Sequence, residues 1–362
     1  MNEFPHYSGG HNPTPIPVWR GDGPVREITH APVDLSGVVV AGVDQQPTIF
    51  EHFLRDSWTD AVVILHKGKL VYEWYSSPEH EYRAHGMLSI TKSIIGTVAG
   101  VLMEADQLDP EALASNYVPE LAYGGYANVT VRDLLDMRTG GDYREDGDPN
   151  GELARMESSR LRSEHAPYPN LYAMVAGCER VGLHEGPLSY RSLDTTALGW
   201  VLERAAGMSM TQMLTEKVLE PLGIEADGYF ETDHEGHPAH AGGLALRPRD
   251  IARFGQMILD SGSVGDTSIV SPFFVKDLRE GHPDESIDSE VLDKDGSYRN
   301  QFWVPKQGGR ELLCLGIHGQ MMVMDGNSGV VALKLSSWPH PRDTTLISHT
   351  YAAIHECARA LN

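Results

Sequence analysis

Two regimes of apolar spacing divide this chain. Near residue 60 and again after residue 300 the apolar residues come in short continuous runs, and between these regions they recur at helical spacing. Ala61-Val62-Val63-Ile64-Leu65 and Leu70-Val71-Tyr72-Glu73-Trp74-Tyr75 flank His66-Lys67-Gly68-Lys69. β-Branched and aromatic runs around a glycine-bearing turn predict a hairpin. Apolar residues at 90, 94, 98, 101 and 102 then mark one buried stripe of a helix reaching about Ala105. Thr130-Val131-Arg132-Asp133 opens a short helix carrying Leu134, Leu135 and Met137, which stops at Gly140-Gly141, as glycine past a helix end should. Asp194 or Ser192 caps a helix with Leu193, Ala197, Trp200 and Val201 inward, ending at Gly207. Pro248 suits the first turn of another, with Ile251, Phe254, Met257 and Ile258 inward. Leu312 to Ile317, Met321 to Met324 and Val330 to Leu335 predict strands, and a helix with Ile347, Tyr351, Ile354, Ala358 and Leu361 inward closes the chain.

A hairpin early, helices in the middle and strands with a helix at the end predict an α+β fold. The simplest assembly is one antiparallel sheet built from both chain ends, with flanking helices and an inserted, mostly helical domain. The expected boundaries are an irregular N-terminal arm over residues 1–56, a discontinuous sheet domain over 57–88 and 262–362, and a helical domain over 89–261. Prolines at 13, 15 and 17 suit extended backbone in the arm. Residues 142–170 are acidic and arginine-rich without a period, and read as a long loop.

Composition narrows the class. With 51 acidic against 29 basic residues the formal net charge is −22, a field that opposes nucleic acid and anionic membranes. The acids are scattered apart from Glu145-Asp146-Gly147-Asp148, which reads as solvated surface. The run from Ile94 to Met103 is too short for a bilayer, which needs about 20 residues. Met1 to Gly10 is polar, and Cys178, Cys314 and Cys357 form no Cys-x-x-Cys pair. A cytoplasmic protein without a disulfide framework is expected. The oligomeric state stays open, with a homodimer among the options.

Candidate chemistry centres on Ser89-Ile90-Thr91-Lys92, where the helix begins. Residues three apart share a helix face, so Lys92 reaches the Ser89 hydroxyl without help from loop geometry. A serine becomes a useful nucleophile when a nearby base takes its proton, and an amine of lowered pKa serves as one. The first turn also supplies free N–H groups and a dipole that favour developing negative charge.

The order of elements resembles the serine β-lactamase and penicillin-binding-protein-like hydrolases, in particular their class C and family VIII esterase branch. Carrying the resemblance are Ala61 to Tyr75, Ser89-x-x-Lys92, Thr130 to Gly140, and Arg249-Asp250-Ile251-Ala252-Arg253-Phe254-Gly255. Gly316-Ile317-His318-Gly319-Gln320 looks most like the 6-aminohexanoate-dimer (nylon oligomer) hydrolases. The likeness covers roughly residues 55 to 362.

The resemblance implies a β-lactamase/transpeptidase-like fold, no cofactor or metal, and a small ester or amide substrate. It implies Ser89 as nucleophile and Lys92 with Tyr190 in proton transfer. Tyr-x-Asn, the family's second motif, occurs at Tyr126, Tyr168 and Tyr298. Tyr190-Arg191-Ser192 is preferred because it feeds directly into a helix start, with Ser192 offering a hydroxyl in place of the amide. The counterpart of the third motif, Lys-Thr-Gly on an edge strand, is Ile317-His318-Gly319. Its lysine is absent, which argues against β-lactamase and D-Ala-D-Ala peptidase activity. Gly319, lacking Cβ, would let substrate approach the strand. The backbone N–H groups of Ser89 and Gln320 are expected to form the oxyanion hole, and Tyr143 and Trp303, with Ser192 and His318, to line the cleft.

Two readings compete with an acyl-transfer enzyme. Asp233-His234-Glu235-Gly236-His237-Pro238-Ala239-His240 offers three histidines for a zinc, but Gly and Pro break the run and no His-Glu-x-x-His helix exists. A non-catalytic binding protein on the same fold is the other, and retention of serine, lysine and tyrosine together argues against it.

Overall fold

A computed structural model of the chain describes residues 13–143, 145, 151–163, 166–180, 182, 186–283, 292 and 295–362. The N-terminal segment is more ordered than its composition suggests. It holds strands β1 (Ile16–Val18), β2 (Val39–Ala41) and β3 (Pro47–Ile49), then helix α1 (Phe50–Asp56). Three-residue strands interrupted by proline leave no alternation to read, and Pro17 is tolerated because β1 is an edge strand.

The hairpin follows as β4 (Thr59–His66) and β5 (Lys69–Tyr75). Its turn is tighter than expected: Lys67 and Gly68 alone connect the strands, both with positive φ, as a two-residue hairpin turn requires. Strand β6 (His85–Gly86) leads into α2 (Ile90–Glu104). The helical region continues with α3 (Val131–Leu135), α4 (Glu152–Arg160), α5 (Leu171–Ala176), α6 (Ser192–Ala206), α7 (Met210–Met213) and α8 (Glu220–Leu222). Strands β7 (Gly228–Phe230) and β8 (Leu244–Leu246) precede α9 (Pro248–Leu259). The small pair β9 (Ser263–Val264) and β10 (Thr267–Ser268) and helix α10 (Pro272–Glu280) come next. The chain ends with β11 (Ser297–Arg299), β12 (Phe302–Val304), β13 (Glu311–Gly316), β14 (Gln320–Asp325), β15 (Val330–Ser336) and α11 (Thr344–Ala360).

Seven strands form the main sheet in the order β11-β12-β13-β14-β15-β4-β5, every neighbour antiparallel. The α+β architecture, with the sheet drawn from both chain ends, is therefore as expected. Alternation along β4 sorts the two layers, as side chains on a strand point to opposite faces. Val62 and Ile64 join Phe53, Ile354 and Cys357 of the terminal helices, whereas Ala61, Val63 and Leu65 join the cluster containing α2 and α9. Helix α9, grouped with the helical domain by sequence, packs on β4, β14 and β15.

Helix α2 is buried all round rather than along one stripe: every residue from Ile90 to Gly100 is inaccessible. Small residues on its other faces make this possible. A Cβ on Gly96 would stand 2.2 Å from the Asn300 carbonyl, so only glycine allows the helix to lie this close to the β11–β12 turn. Within the expected 142–170 loop, Glu152–Arg160 is helical instead. Its good helix formers were masked by polarity, since only Met156 is a buried apolar residue while Arg160 is buried through bonds to Glu157 and the Thr232 carbonyl. Residues 144, 146–150, 164 and 165 of that stretch lie outside the described residues. No helix among the described residues is long and apolar enough to cross a membrane.

Candidate active site

The polypeptide turns sharply before Ser89. Leu88 has φ +46, a left-handed conformation uncommon for a side chain of this size. The turn lifts Ser89 onto the first turn of α2, and Met87 N–H donates to the Leu244 carbonyl, tying this corner to β8. One helical turn on, Lys92 Nζ donates to Ser89 Oγ at 2.8 Å and to the Ala241 carbonyl at 2.8 Å. Lys92 is almost completely buried, and burial pushes its ammonium down to about 8, against a small opposing effect of Glu145.

Tyr190 completes the group. Lys92 Nζ lies 5.0 Å from its ring centroid, and its phenol shares a hydrogen bond with Ser89 while burial raises it far above the usual phenol range. Trp303 stacks on Tyr190 at 5.4 Å, and Tyr298 meets it edge-on at 5.8 Å. The structure thus gathers Ser89, Lys92, Tyr190 and Trp303. Of the literal Tyr-x-Asn tyrosines, Tyr126 donates to Asp194 and Tyr168 to the Gly177 carbonyl at 3.4 Å, while Tyr298 packs against Tyr190 and Trp303.

A buried polar knot forms around Arg191, the residue after Tyr190. Asp194 accepts from Tyr126 at 2.9 Å and Thr139 at 2.9 Å, and Arg191 donates to the Tyr143 carbonyl at 2.9 Å. Asp194 does not cap α6, because these hydroxyls claim its carboxylate, which burial pushes up to about 6. The side chain that reaches the α6 N-terminus is Glu145, which accepts the Ser192 N–H. Sequence reasoning placed Glu145 on the solvated surface; an acidic tetrapeptide gives no sign that its first member turns inward. Ser192 itself is buried at the first position of α6, and Tyr143 is buried with its hydroxyl toward Met156 Sδ at 3.6 Å. Tyr143 is therefore packed inside the protein rather than exposed at a surface.

The third-motif counterpart departs from expectation. Ile317–Gly319 is a single 3₁₀ turn joining β13 to β14, and these strands are interior, because β12 and β11 extend the sheet beyond β13. His318 takes φ +58, its N–H donates to the Pro341 carbonyl, and Nδ1 pairs with the Trp338 carbonyl at 2.7 Å. Gly319 has φ +87, and a Cβ there would stand 2.3 Å from the Trp338 indole. Its missing side chain makes room for the Trp338 indole. Gln320 is buried opposite Gly316, with Nε2 donating to the Ile317, His318 and Ser336 carbonyls. Gly316 lies against the corner that precedes Ser89: its Cβ position is 3.1 Å from the Met87 carbonyl.

The three histidines of the 233–240 stretch diverge. His234 bonds the Leu161 carbonyl, His237 bonds Asp233 at 2.9 Å, and His240 is buried against Tyr172 and Phe230, its ring nitrogens without a hydrogen-bond partner among the described residues.

The chain belongs to the Beta-lactamase family, whose sequence model matches residues 49–355. It is 31% identical over 298 residues to the 6-aminohexanoate-dimer hydrolase of Paenarthrobacter ureafaciens, covering 80% of this chain and 76% of that one. Among solved structures it is similar to a protein of Bacillus anthracis carrying the provisional name 6-aminohexanoate-dimer hydrolase. That match has a TM-score of 0.87 and 24% identity, covering 99% of this chain and 95% of the other. EstCE1, named as a hydrolase with promiscuous acyltransferase activity, matches with a TM-score of 0.66 and 15% identity over 86% and 96% of the two chains. These structural likenesses establish the fold, and family membership makes the chain a hydrolase of β-lactamase fold.

Proposed function

We propose that the chain is a serine hydrolase that cleaves an ester or amide bond through an acyl-enzyme on Ser89. The observation that carries this reading is the 2.8 Å contact between Ser89 Oγ and a buried lysine whose ammonium is pushed down to about 8. A neutral Lys92 takes the Ser89 proton as Oγ attacks the carbonyl. Tyr190, kept as the neutral phenol by burial, relays a proton to the leaving amine or alcohol and then helps activate water. The Ser89 N–H, with a second backbone donor from the Gly316–Gln320 turn, stabilises the tetrahedral intermediate.

Substrate class follows from what the site lacks and what its relatives are named for. Ile317 supplies no cation where a β-lactam or D-Ala-D-Ala carboxylate would need one. The net charge of −22 disfavours anionic substrates. The 31% identical relative is a 6-aminohexanoate-dimer hydrolase, which supports small neutral esters and amino-terminated amides over β-lactams. A panel of p-nitrophenyl acetate and butyrate, aminohexanoate dimer and nitrocefin tests this. Turnover of an ester or the dimer, abolished in Ser89→Ala, is expected; wild-type turnover in Ser89→Ala would overturn the reading.

A further inference from the structure

A second buried lysine has no part in this scheme. Lys334 on β15 is almost fully buried. By alternation it shares Ala332's face of the sheet, toward α1 and α11, while α2 and Ser89 lie on the other. Burying an ammonium is costly, so a lysine here calls for an account. Its Nζ donates to Ser336 Oγ at 2.5 Å and lies 3.5 Å from the Ser57 carbonyl and 5.4 Å from the Trp338 ring centroid.

From those partners two short routes lead to the Ile317–Gln320 turn. Trp338 Nε1 donates to the same Ser57 carbonyl at 2.9 Å, and the indole covers Gly319 while its backbone exchanges bonds with His318. Ser336 N–H donates to Gln320 Oε1 at 3.0 Å, and Gln320 Nε2 returns to the Ser336 carbonyl at 2.8 Å. The opposite wall is reached through Asp60, the charge that favours the Lys334 ammonium. Asp60 accepts from His85 Nε2 at 3.0 Å and from Ser337 Oγ at 2.6 Å, with His80 as a further charge nearby. His85 opens β6, the strand that runs into Met87 and Ser89.

We infer that Lys334 and Asp60 are positioning residues of the hydrolytic site, clamping from the far side of the sheet both the β6 corner and the Ile317–Gln320 turn. This rests on the reading of Ser89 as nucleophile and of that turn as the second oxyanion wall. Such a clamp acts on the transition state, where donor placement matters most, and not on ground-state binding. Replacing Lys334 by methionine fills the same space without a buried ammonium, and Asp60 keeps His85 and Ser337 as partners, so stability should not fall.

The test is steady-state hydrolysis of p-nitrophenyl butyrate with thermal unfolding of the full chain. Lys334→Met and Asp60→Asn should each lower kcat at least fivefold with KM within twofold, Lys334→Met without a lower Tm. The double variant should lose little more than the worse single one. A kcat loss below fivefold in Lys334→Met, or a loss that appears only with a fallen Tm, overturns the inference. If Lys334→Met does not fold, Ser336→Ala, which removes only the hydroxyl that Lys334 meets, decides on a threefold threshold. Activity persisting in Ser89→Ala would sink the underlying reading; a dead Ser89→Ala beside an unaffected Lys334→Met would sink this inference alone.

Discussion

Two lysines are buried among the described residues, on opposite faces of one sheet, and their surroundings separate two uses of the same side chain. Lys92 sits on a helix one turn from a serine, held by Ser89 Oγ and one carbonyl. Lys334 sits mid-strand among a hydroxyl, a carbonyl and an indole, with Asp60 as its charge partner. Burial lowers both, to about 8 and about 7. The lowered ammonium alone therefore does not mark a catalytic base. What distinguishes Lys92 is that its amine meets the hydroxyl of a serine at a helix start, whereas the groups around Lys334 lead to backbone.

The comparison breaks most directly at Lys92. Lys92→Ala should reduce kcat/KM for p-nitrophenyl butyrate by about 10³-fold, within the usual range for a general base; a loss under tenfold would make the two lysines equivalent. Tyr190→Phe should cost about 10²-fold in kcat, with burst kinetics showing whether acylation or deacylation suffers. Gly319→Ala should destabilise the chain by about 2–4 kcal/mol, because it adds a clash with Trp338 to a positive φ. Urea unfolding measures this, and an unchanged midpoint would contradict the packing described for the turn.

Both lysines also predict a pH dependence of stability. Their folded pKa values lie below the ordinary 10.5, so the native state binds fewer protons than the unfolded state between about 7 and 10. Stability should rise with pH across that window, and Lys334→Met should flatten the rise. The smallest effect concerns Glu145, whose charge favours the Lys92 ammonium. Glu145→Gln should move the kcat/KM profile to lower pH by a few tenths of a unit; a shift to higher pH would contradict its placement.

The two lysines also show what sequence reveals. Ser89 and Lys92 were legible because helical spacing alone brings residues three apart together. Lys334 lies in Val331-Ala332-Leu333-Lys334-Leu335, where alternation says only that it shares a face with Ala332; its partners at Ser57 and Asp60 arrive through strand pairing across most of the chain. Tyr190 was found from its position before a helix. Glu145 was missed, and Asp194 was read as a helix cap, because the groups they bind lie far along the chain. The sheet was legible from its long apolar runs, while α4 and β1 to β3 were not, being polar or too short for a period to form.

The central claim is that the neutral form of Lys92, reached through a lowered pKa, activates Ser89. Labelling by a fluorophosphonate probe, followed by intact mass and peptide mapping across pH 6 to 10, tests it most directly. One adduct on Ser89 is predicted, formed at a rate that climbs through a pKa of about 8 and absent from Ser89→Ala. An adduct on another residue, or a rate on Ser89 unaffected by Lys92→Ala, would contradict it.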